Sequence, residues 1–200
     1  MSDLFHEKAA GWDARPVPAI ISEGVGSTLL RRVELTSELR VMDFGAGTGL
    51  ICAQVAPRVD RVYAVDISRA MLEQLAAKPA LEGKVEIVCQ NIVETPLGHK
   101  VDLIVSAMAM HHVEDTATLL QAFGAHLDPG GKVALADLDQ EDGSFHPADA
   151  EGVFHSGFDR DALGALLAAN GFEQVEFVTA VEVSKQEKSY PIFLVTATKS

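Results

Sequence analysis

Short apolar runs alternate along this chain with segments in which apolar residues recur every three or four positions. The runs span residues 39–44, 61–66, 84–89, 101–106 and 132–137. They are rich in Val, Ile and Leu and show little polar alternation, which is typical of inner strands covered on both faces in a parallel sheet. Two longer runs, 173–183 and 190–199, flank the polar segment SKQEKS and predict a closing hairpin.

Segments with helical spacing and recognisable starts lie between these runs. Ser68 precedes RAMLEQLAA, Asp159 precedes RDALGALLAAN, and the segment EDTATLLQAFGAHL ends at DPGG. Ser and Asp are favoured residues at the start of a helix. The repeated order of strand, turn and helix predicts an α/β fold with a doubly wound sheet and right-handed crossovers. We expect residues 1–34 to form a helical segment that precedes the main domain, residues 35–200.

The segment VMDFGAGTGL joins the first predicted strand to the following helix. Its glycines give G-x-G-x-G, whereas a dinucleotide fingerprint needs G-x-G-x-x-G. Asp43 comes two residues before Gly45, where its carboxylate would face a pyrophosphate at short range. Asp66 ends the second predicted strand and is placed to accept hydrogen bonds from vicinal ribose hydroxyls. The combination favours a nucleoside ligand without pyrophosphate over NAD.

Structural interpretations of the same residues stay open at this point. Glycines after a strand can simply form a turn, and Asp66 can cap the helix that follows Ser68. The long acidic segment 137–158 follows the fifth predicted strand with little periodicity. A loop of this length in a compact domain is usually functional, although a solvated acidic lid is an equal alternative.

The net charge and the cysteine content restrict the binding partners and the cellular compartment that we expect. Lys and Arg total 16 against 29 Asp and Glu, which gives a formal net charge of −13 and would repel a nucleic acid. Cys52 and Cys89 have no metal-ligand spacing, so we expect buried thiols in a reducing compartment. No apolar run reaches about 18 residues and the first residues are of mixed charge, so we expect a cytoplasmic protein without a membrane partner.

Five motifs follow one another at ordinary spacing: VMDFGAGTG, VYAVDIS, CQNIVE, VDLIVSAMAMHHVED and LDPGGKVALAD. Together they make residues 35–200 resemble the class I S-adenosylmethionine-dependent methyltransferases. The resemblance implies a three-layer, Rossmann-like sheet of seven strands in the order 3-2-1-4-5-7-6, with strand 7 antiparallel. It also implies S-adenosyl-L-methionine as the cofactor and in-line methyl transfer as the reaction. Open parallel sheets bind ligands at the carboxyl ends of their strands, where we expect the site.

The resemblance assigns cofactor-binding roles to matching positions. These are Asp43, Gly45, Ala46, Gly47, Thr48, Gly49, Asp66, Ile67, Asn91, Ile92 and Ser106. The glycine motif would lie against the methionine portion, Asp43 would help to hold its ammonium group, and Asp66 would bind the ribose. Asn91 stands where the family usually has an Asp beside the adenine, and its side-chain oxygen can still accept from the exocyclic amine. The segment from Ser106 to Met108 would run beneath the reacting methyl.

Histidines are the candidate bases, since imidazole titrates near neutrality. His111 and His112 follow the fourth predicted strand, while His146 and His155 lie in the segment after the fifth. We predict His111 and His155 as the catalytic residues and give His112 a positioning role. The same histidines with Asp137, Asp139 and Glu151 are an alternative metal-binding set, but they lack a compact helical spacing, so we predict no metal.

The predicted function is methylation of a small-molecule acceptor at O, N or S. We expect the amino-terminal segment around Phe5, His6, Trp12 and Asp13 to close over the acceptor. A non-catalytic cofactor-binding protein of the same fold is the principal alternative, and product formation would discriminate it. An NAD-dependent oxidoreductase is disfavoured, because it would need the wider glycine spacing and more chain for a substrate domain.

Overall fold

A computed structural model of the chain describes residues 3–185 and 187–200. Its seven strands are β1 Arg40–Phe44, β2 Arg61–Asp66, β3 Val85–Cys89, β4 Val101–Ala107, β5 Leu127–Leu138, β6 Phe172–Lys185 and β7 Lys188–Lys199. They form one sheet in the order 3-2-1-4-5-7-6. Strands β1 to β5 pair in parallel, and β7 runs antiparallel between β5 and β6. The predicted topology is confirmed.

Six α-helices connect or precede these strands. They are α1 His6–Ala9, α2 Pro16–Arg32, α3 Cys52–Val55, α4 Arg69–Ala76, α5 Thr116–Ala125 and α6 Arg160–Ala169. The side chain of Ser68 accepts a hydrogen bond from the backbone N–H of Met71 at the start of α4. Asp159 caps α6 in the same way through the N–H of Ala162. Both predicted helix starts are therefore present, because each cap satisfies a backbone donor that the first turn leaves unpaired.

Alternating side chains of the inner strands pack on opposite faces of the sheet, as the two-residue period of a strand requires. Val41 and Leu103 belong to the core on the side of α2, α3 and α4. Met42 and Ile104, the next residue in each strand, belong to the core on the side of α5 and α6. Because both faces are covered, the inner strands are apolar in nearly every position, and the domain has three layers.

The β3 strand differs from its prediction as an inner strand. It pairs only with β2 among the described residues and lies at the sheet edge, with Glu86, Ile87 and Cys89 exposed. The expectation of two buried thiols is therefore wrong for Cys89, although Cys52 is buried. The apolar run alone does not reveal whether a strand has one neighbour or two, whereas the strand order implied by the resemblance already places the third strand at the edge.

The parallel strands bring the loops after β1, β2, β3, β4 and β5 to one edge of the sheet. Side chains of the amino-terminal segment also reach this edge, since the carboxylate of Asp3 accepts a hydrogen bond from the N–H of Ala70 in the first turn of α4. Within residues 3–185 and 187–200, no helix has both the length and the apolar character needed to cross a bilayer.

Candidate active site

A cavity of about 870 Å³ opens at the carboxyl edge of the sheet. Its walls come from the glycine turn after β1, the ends of β2 and β4, the segment after β5, and the amino-terminal segment with the first turns of α2. Phe5 and Trp12 of the amino-terminal segment line it. The cavity is large enough for a nucleoside-sized ligand together with a second small molecule.

The glycine turn requires glycine for different reasons at its successive positions. Gly45 and Gly49 both have positive φ, and a side chain at Gly45 would collide with the Cβ of Ala109. A Cβ at Gly49 would lie 2.8 Å from the Cγ of Leu75 in α4. Gly47 also has positive φ (54°), but a Cβ there would meet no protein atom within 4 Å and Gly47 lines the cavity. The turn is thus packed on both sides and open at Gly47.

Asp66 connects the end of β2 to this turn. Its carboxylate oxygens accept hydrogen bonds from the backbone N–H groups of Gly47 and Ser68, each at 2.8 Å. Burial raises the pKa of Asp66, while the backbone hydrogen bonds from Ser68 and Gly47 lower it. A carboxylate can accept about four hydrogen bonds, so two remain for a ligand in the cavity.

Asp43 also lines the cavity, but it is almost completely buried, with 1% of its surface exposed. Its pKa is raised to about 7, mainly by burial and also by the charge of Asp66, against the lowering effect of a hydrogen bond from Cys52. The Cys52 Sγ lies 3.0 Å from Asp43 Oδ2. A buried carboxyl with a raised pKa is stabilised in its charged form when a cation binds beside it.

The remaining predicted cofactor residues divide into two groups. Ala46, Thr48, Ile67 and Asn91 line the cavity. The side chains of the others are committed to the core or to the backbone: Ile92 is fully buried in the α5–α6 core, and the Ser106 hydroxyl donates to the carbonyl of Phe44 at 2.9 Å. Ile92, Ser106 and Gly49 therefore support the cavity from behind rather than line it.

The amino-terminal segment is attached directly to the glycine turn. The Thr48 hydroxyl donates to Asp13 Oδ1 at 2.5 Å, and Lys78 lies 2.6 Å from Asp13 Oδ2. The guanidinium of Arg15, two residues further on, stacks over Trp12 and lines the same part of the cavity. The two carboxylate oxygens of Asp13 therefore link the amino-terminal segment to the glycine turn and to Lys78.

His111 and Asp137 form a buried pair at the other end of the cavity. His111 Nδ1 lies 2.7 Å from Asp137 Oδ1, with 1% and 0% of the two side chains exposed. The Asp137 carboxyl also accepts from the backbone N–H groups of His111 at 3.2 Å and Leu138 at 2.8 Å. These donors fix the carboxylate as an acceptor toward His111 Nδ1, so in the neutral ring with its proton on Nδ1 the lone pair lies on Nε2.

Two further imidazoles surround His111. The ring centroids of His112 and His146 lie 4.1 and 4.9 Å from that of His111. The pKa values of His112 and His146 fall to about 4, mainly because of burial and next because of the neighbouring His111. His112 Nδ1 lies 2.6 Å from the carbonyl oxygen of Gly152, consistent with positioning of the loop. The Nε2 atoms of His111 and His146 are buried without a hydrogen-bond partner in the described part of the chain.

His155 is not brought to the cavity. Its Nε2 lies 3.0 Å from the carbonyl oxygen of Val113, 3.2 Å from that of Glu114 and 3.3 Å from the Thr116 hydroxyl. This placement corrects the expectation that His155 points inward beside His111. His155 Nε2 is hydrogen-bonded to the backbone carbonyls just before α5. The ring therefore links the loop after β5 to the start of that helix.

Several lining residues were missed by sequence reasoning. Phe145 and Lys185 line the cavity from the loop after β5 and the end of β6. A lone lysine in a hairpin carries no sequence signal for such a position. Met108, in contrast, belongs to the predicted segment after β4 and lines the cavity with φ of 58°, a strained value of the kind often found at functional sites.

The alternative metal-binding set consists of the same histidines with Asp137, Asp139 and Glu151. Among residues 3–185 and 187–200, no group of three or more His, Cys, Asp or Glu side chains has a geometry that could hold a metal ion.

Comparison with known proteins bears on this arrangement. Residues 19–176 match the model of a family described as a methyltransferase domain. The chain is 30% identical to the uncharacterized methyltransferase GK2543 of Geobacillus kaustophilus over 168 residues, which cover 73% of this chain and 77% of that protein. It is 35% identical to the uncharacterized methyltransferase Rv0089 of Mycobacterium tuberculosis over 96 residues, 48% of each protein. The chain thus spans about half the length of this relative.

A solved structure shows the same fold. The N-methyltransferase NodS from Bradyrhizobium japonicum, in complex with S-adenosyl-L-homocysteine, superposes with a TM-score of 0.73 at 15% identity, covering 98% of this chain and 94% of that one. The family match and the fold confirm the class that the motifs predict. The chain belongs to the methyltransferase domain family and is an S-adenosylmethionine-dependent methyltransferase domain of class I.

Proposed function

We propose that the protein transfers the methyl group of S-adenosyl-L-methionine to a small-molecule acceptor at O, N or S. The observation that carries the proposal is one cavity with two chemically different ends. The glycine turn and Asp66 line one end, and a buried imidazole nitrogen without a partner lies at the other, on His111. Such an arrangement fits a reaction in which one ligand is held by fixed backbone groups and a second gives up a proton.

The residues at the first end fit the cofactor. The open side of the turn at Gly47 leaves room for a ligand against the backbone. Asp66 has acceptor capacity left for the ribose hydroxyls, and Asp43 is a buried carboxyl that an ammonium group would stabilise as an anion. Arg15, which lies beside the turn, is a candidate for the carboxylate of the methionine portion. Asn91 and Ile67 are candidates for the adenine.

When bound, S-adenosylmethionine offers an electrophilic methyl carbon on a sulfonium, which the acceptor's lone pair takes in line as the carbon–sulfur bond breaks. The chain contributes mainly by holding the acceptor in position, since proximity alone can lower a barrier by up to about 7–11 kcal/mol. Phe5 and Trp12 cover the cavity and help to exclude water.

A base is required when the acceptor atom carries a proton. His111 Nε2 is the proposed acceptor of that proton, because the Asp137 carboxylate holds the opposite ring nitrogen and stabilises the imidazolium that forms. Asp137 acts as a positioning residue through His111. The neutral rings of His112 and His146 keep the surroundings free of competing positive charge at neutral pH. We do not extend the role of base to His155, which bonds to backbone carbonyls.

The restriction to small acceptors rests on the cavity and the charge. The amino-terminal segment covers the cavity through Asp13, which leaves a confined space. The net charge of −13 disfavours a nucleic-acid acceptor, and this exclusion stays a prediction. The cytoplasmic location and the division into residues 1–34 and 35–200 also stay predictions.

Calorimetry and product formation together test this proposal. We expect S-adenosylhomocysteine to bind with one-to-one stoichiometry and NAD not to bind. A screen of small acceptors with methyl-labelled S-adenosylmethionine should then give a labelled product. Binding of the cofactor without transfer to any acceptor would favour the non-catalytic alternative, and NAD binding without S-adenosylhomocysteine binding would contradict the proposal.

A further inference from the structure

The end of the cavity around His111 carries information about the acceptor itself, and the inference that follows rests on the proposed function. We infer that the acceptor is a small, flat hydroxy acid, whose hydroxyl lies between His111 and His146 and whose anionic group lies at Lys185. The proposal assigns oxygen as the acceptor atom and adds Lys185 and His146 as residues that determine specificity.

The two unpartnered imidazole nitrogens define the first requirement. His111 and His146 have ring centroids 4.9 Å apart, and the Nε2 atom of each is buried without a hydrogen-bond partner among the described residues. His111 Nε2 can only accept, because the ring proton lies on the nitrogen that faces Asp137. His146 is neutral at neutral pH, since burial lowers its pKa, and a neutral imidazole can donate from Nε2.

A hydroxyl group satisfies both nitrogens at once. It donates its single proton to His111 Nε2 and accepts a hydrogen bond from His146 Nε2 through an oxygen lone pair. A protonated amine has no lone pair, and a neutral amine has only one, which the methyl transfer uses. Neither would give His146 Nε2 an acceptor during the reaction, whereas a hydroxyl oxygen has a second lone pair for it. Leaving a buried polar group unpaired costs about 1–3 kcal/mol, which is sufficient to discriminate between these acceptors.

Lys185 supplies the second requirement. Its ammonium group donates to the carbonyl of Phe145 and lies 5.5 Å from the centroid of the Phe145 ring. The Phe145 ring lies 5.0 Å from the His146 ring, and the charge of Lys185 contributes to the lowered pKa of His146. A lysine therefore lines the cavity beside the imidazole pair, and its three donors are not exhausted by one carbonyl.

The distribution of charge along the cavity separates the roles of its cations. Arg15 stacks over Trp12 in the amino-terminal segment, which Asp13 attaches to Thr48 of the glycine turn. The carboxylates Asp43 and Asp66 are also at the turn. Lys185 instead lies with Phe145 and His146, so it is the cation available to an anionic group on the acceptor rather than on the cofactor.

Aromatic rings define the shape. Phe145 packs edge-on against both His146 and Tyr190, with centroids 5.0 and 5.2 Å apart. Phe5 packs edge-on against His112 at 5.4 Å on the amino-terminal side. Rings fixed in this way present apolar faces and edges between the imidazole pair and Lys185, which favours a flat body between the hydroxyl and the anionic group.

Equilibrium binding to the protein saturated with S-adenosylhomocysteine tests the inference without requiring turnover. The probes are 4-hydroxybenzoate, 4-hydroxyphenylacetate and 4-hydroxycinnamate, each with its neutral amide and with the analogue that lacks the hydroxyl. At least one hydroxy acid should bind the wild type at least about tenfold more tightly than either of its analogues. Lys185→Met should reduce the preference over the amide to within about twofold, and His146→Phe should reduce the preference over the analogue without hydroxyl.

Lys100→Met is the control. Lys100 directly precedes β4, and its ammonium pairs with Asp128 at 2.7 Å at the surface, outside the cavity lining. It should leave both preferences unchanged. Equal or tighter binding of the amides, binding of no hydroxy acid at millimolar concentration, or a preference that survives Lys185→Met would overturn the inference. Failure of S-adenosylhomocysteine itself to bind would instead overturn the proposed function and, with it, the inference.

Discussion

The two ends of the cavity are constructed by different means. At the cofactor end, the glycine turn after β1 and Asp66 at the end of β2 contact each other through backbone N–H groups, with a bond of 2.8 Å from Gly47 to Asp66. At the acceptor end, His111, Asp137, His146 and Lys185 come from segments after β4, in β5, after β5 and in β6. The first end combines the backbone of the turn with the carboxylates at the ends of β1 and β2, whereas the second is made of side chains from segments far apart in the chain.

This difference indicates that the fold restricts which residues can occupy the cofactor end, whereas residues at the acceptor end can change without disturbing the fold. A change at Gly45 meets Ala109, and a change at Gly49 meets Leu75, so the turn tolerates little variation. His146 and Lys185 lie in a loop and at the end of a hairpin strand, where a substitution leaves the sheet intact. We therefore expect cofactor binding and acceptor recognition to fail separately when either end is altered.

The largest separation is expected for His111→Gln. Loss of the proposed base should lower kcat for a hydroxyl acceptor by a factor of about 10²–10⁴ and remove the rising limb of the pH–rate profile near neutrality. The affinity for S-adenosylhomocysteine should stay unchanged, because the glycine turn is not touched.

His155→Gln is the control for His111, since its ring bonds to backbone carbonyls outside the cavity. It should lower the melting temperature slightly and preserve kcat. Equal loss of activity in the two variants, or an unchanged pH–rate profile in His111→Gln, would show that proximity alone drives the reaction.

Gly47→Val should break the cofactor end. The side chain would project into the cavity from the open side of the turn, and we expect the affinity for S-adenosylhomocysteine to fall by about 100-fold, equivalent to about 2.7 kcal/mol. Calorimetry measures the loss.

Gly83→Val is the control variant, because it introduces a similar backbone strain outside the cavity. Gly83 has φ of 75°, a Cβ there meets no atom within 4 Å, and it is outside the cavity lining. Both variants should lose stability from the strained backbone, but only Gly47→Val should lose the ligand. Similar affinities in the two would contradict the placement of the cofactor against the turn.

Asp43 should give the cofactor end its own pH dependence. Burial raises its pKa to about 7, and the titratable groups that act on it are Cys52 and Asp66. An ammonium ligand favours the ionised form, so the affinity for S-adenosylhomocysteine should rise with pH through about 7, by at most tenfold for each pH unit. Asp43→Asn should bind weakly and flatten this dependence, as measured by calorimetry from pH 6 to 8.

The same carboxyl affects stability in the opposite direction. Its pKa is higher in the folded than in the unfolded protein, so its contribution is fully present below about pH 4 and is lost as the pH rises through about 7. Asp43→Asn should therefore increase the free energy of unfolding at pH 8, on the order of 1–3 kcal/mol. If Asp43→Asn instead lowered the free energy of unfolding at pH 8, Asp43 would not be a buried, ionised carboxylate that lacks a neighbouring cation.

The smallest effect is expected for Asp13→Asn, which weakens the attachment of the amino-terminal segment to the turn. The ion pair with Lys78 is partly exposed, with 27% and 42% of the side chains accessible, so it contributes little. We expect KM for the acceptor to rise a few-fold with little change in melting temperature. Glu7→Gln, an exposed change in α1, is the control. An unchanged KM would show that the attachment of the amino-terminal segment through Asp13 does not contribute to acceptor binding.

The parts of this molecule that sequence reasoning found are those encoded within short stretches. The strand at residues 61–66, the glycine turn and Asp66 are each read from a few neighbouring residues, because strand burial and tight turns have local signatures. The resemblance then supplied the strand order. The edge position of β3, which exposes Cys89, follows from that order but cannot be read from the five residues of the strand itself.

The acceptor end could be predicted only in part, for the same reason. His111 and His146 were candidates because both follow strands at the carboxyl edge of the sheet. Nothing in the sequence indicates that the ring of His155 bonds to the carbonyls before α5 or that Lys185 returns to the cavity from β6. Such placements depend on loop paths and on contacts between segments distant in the chain.

The state of the His111 ring tests the central claim most directly, namely that a base held by Asp137 faces the acceptor across the cavity. Nitrogen-15 NMR of the histidine rings at pH 8, assigned with His111→Gln, reports which nitrogen carries the proton. We predict a neutral ring with the proton on Nδ1, bound to Asp137, and an unprotonated Nε2. A proton on Nε2 would leave His111 unable to accept the acceptor's proton and would contradict its role as the base.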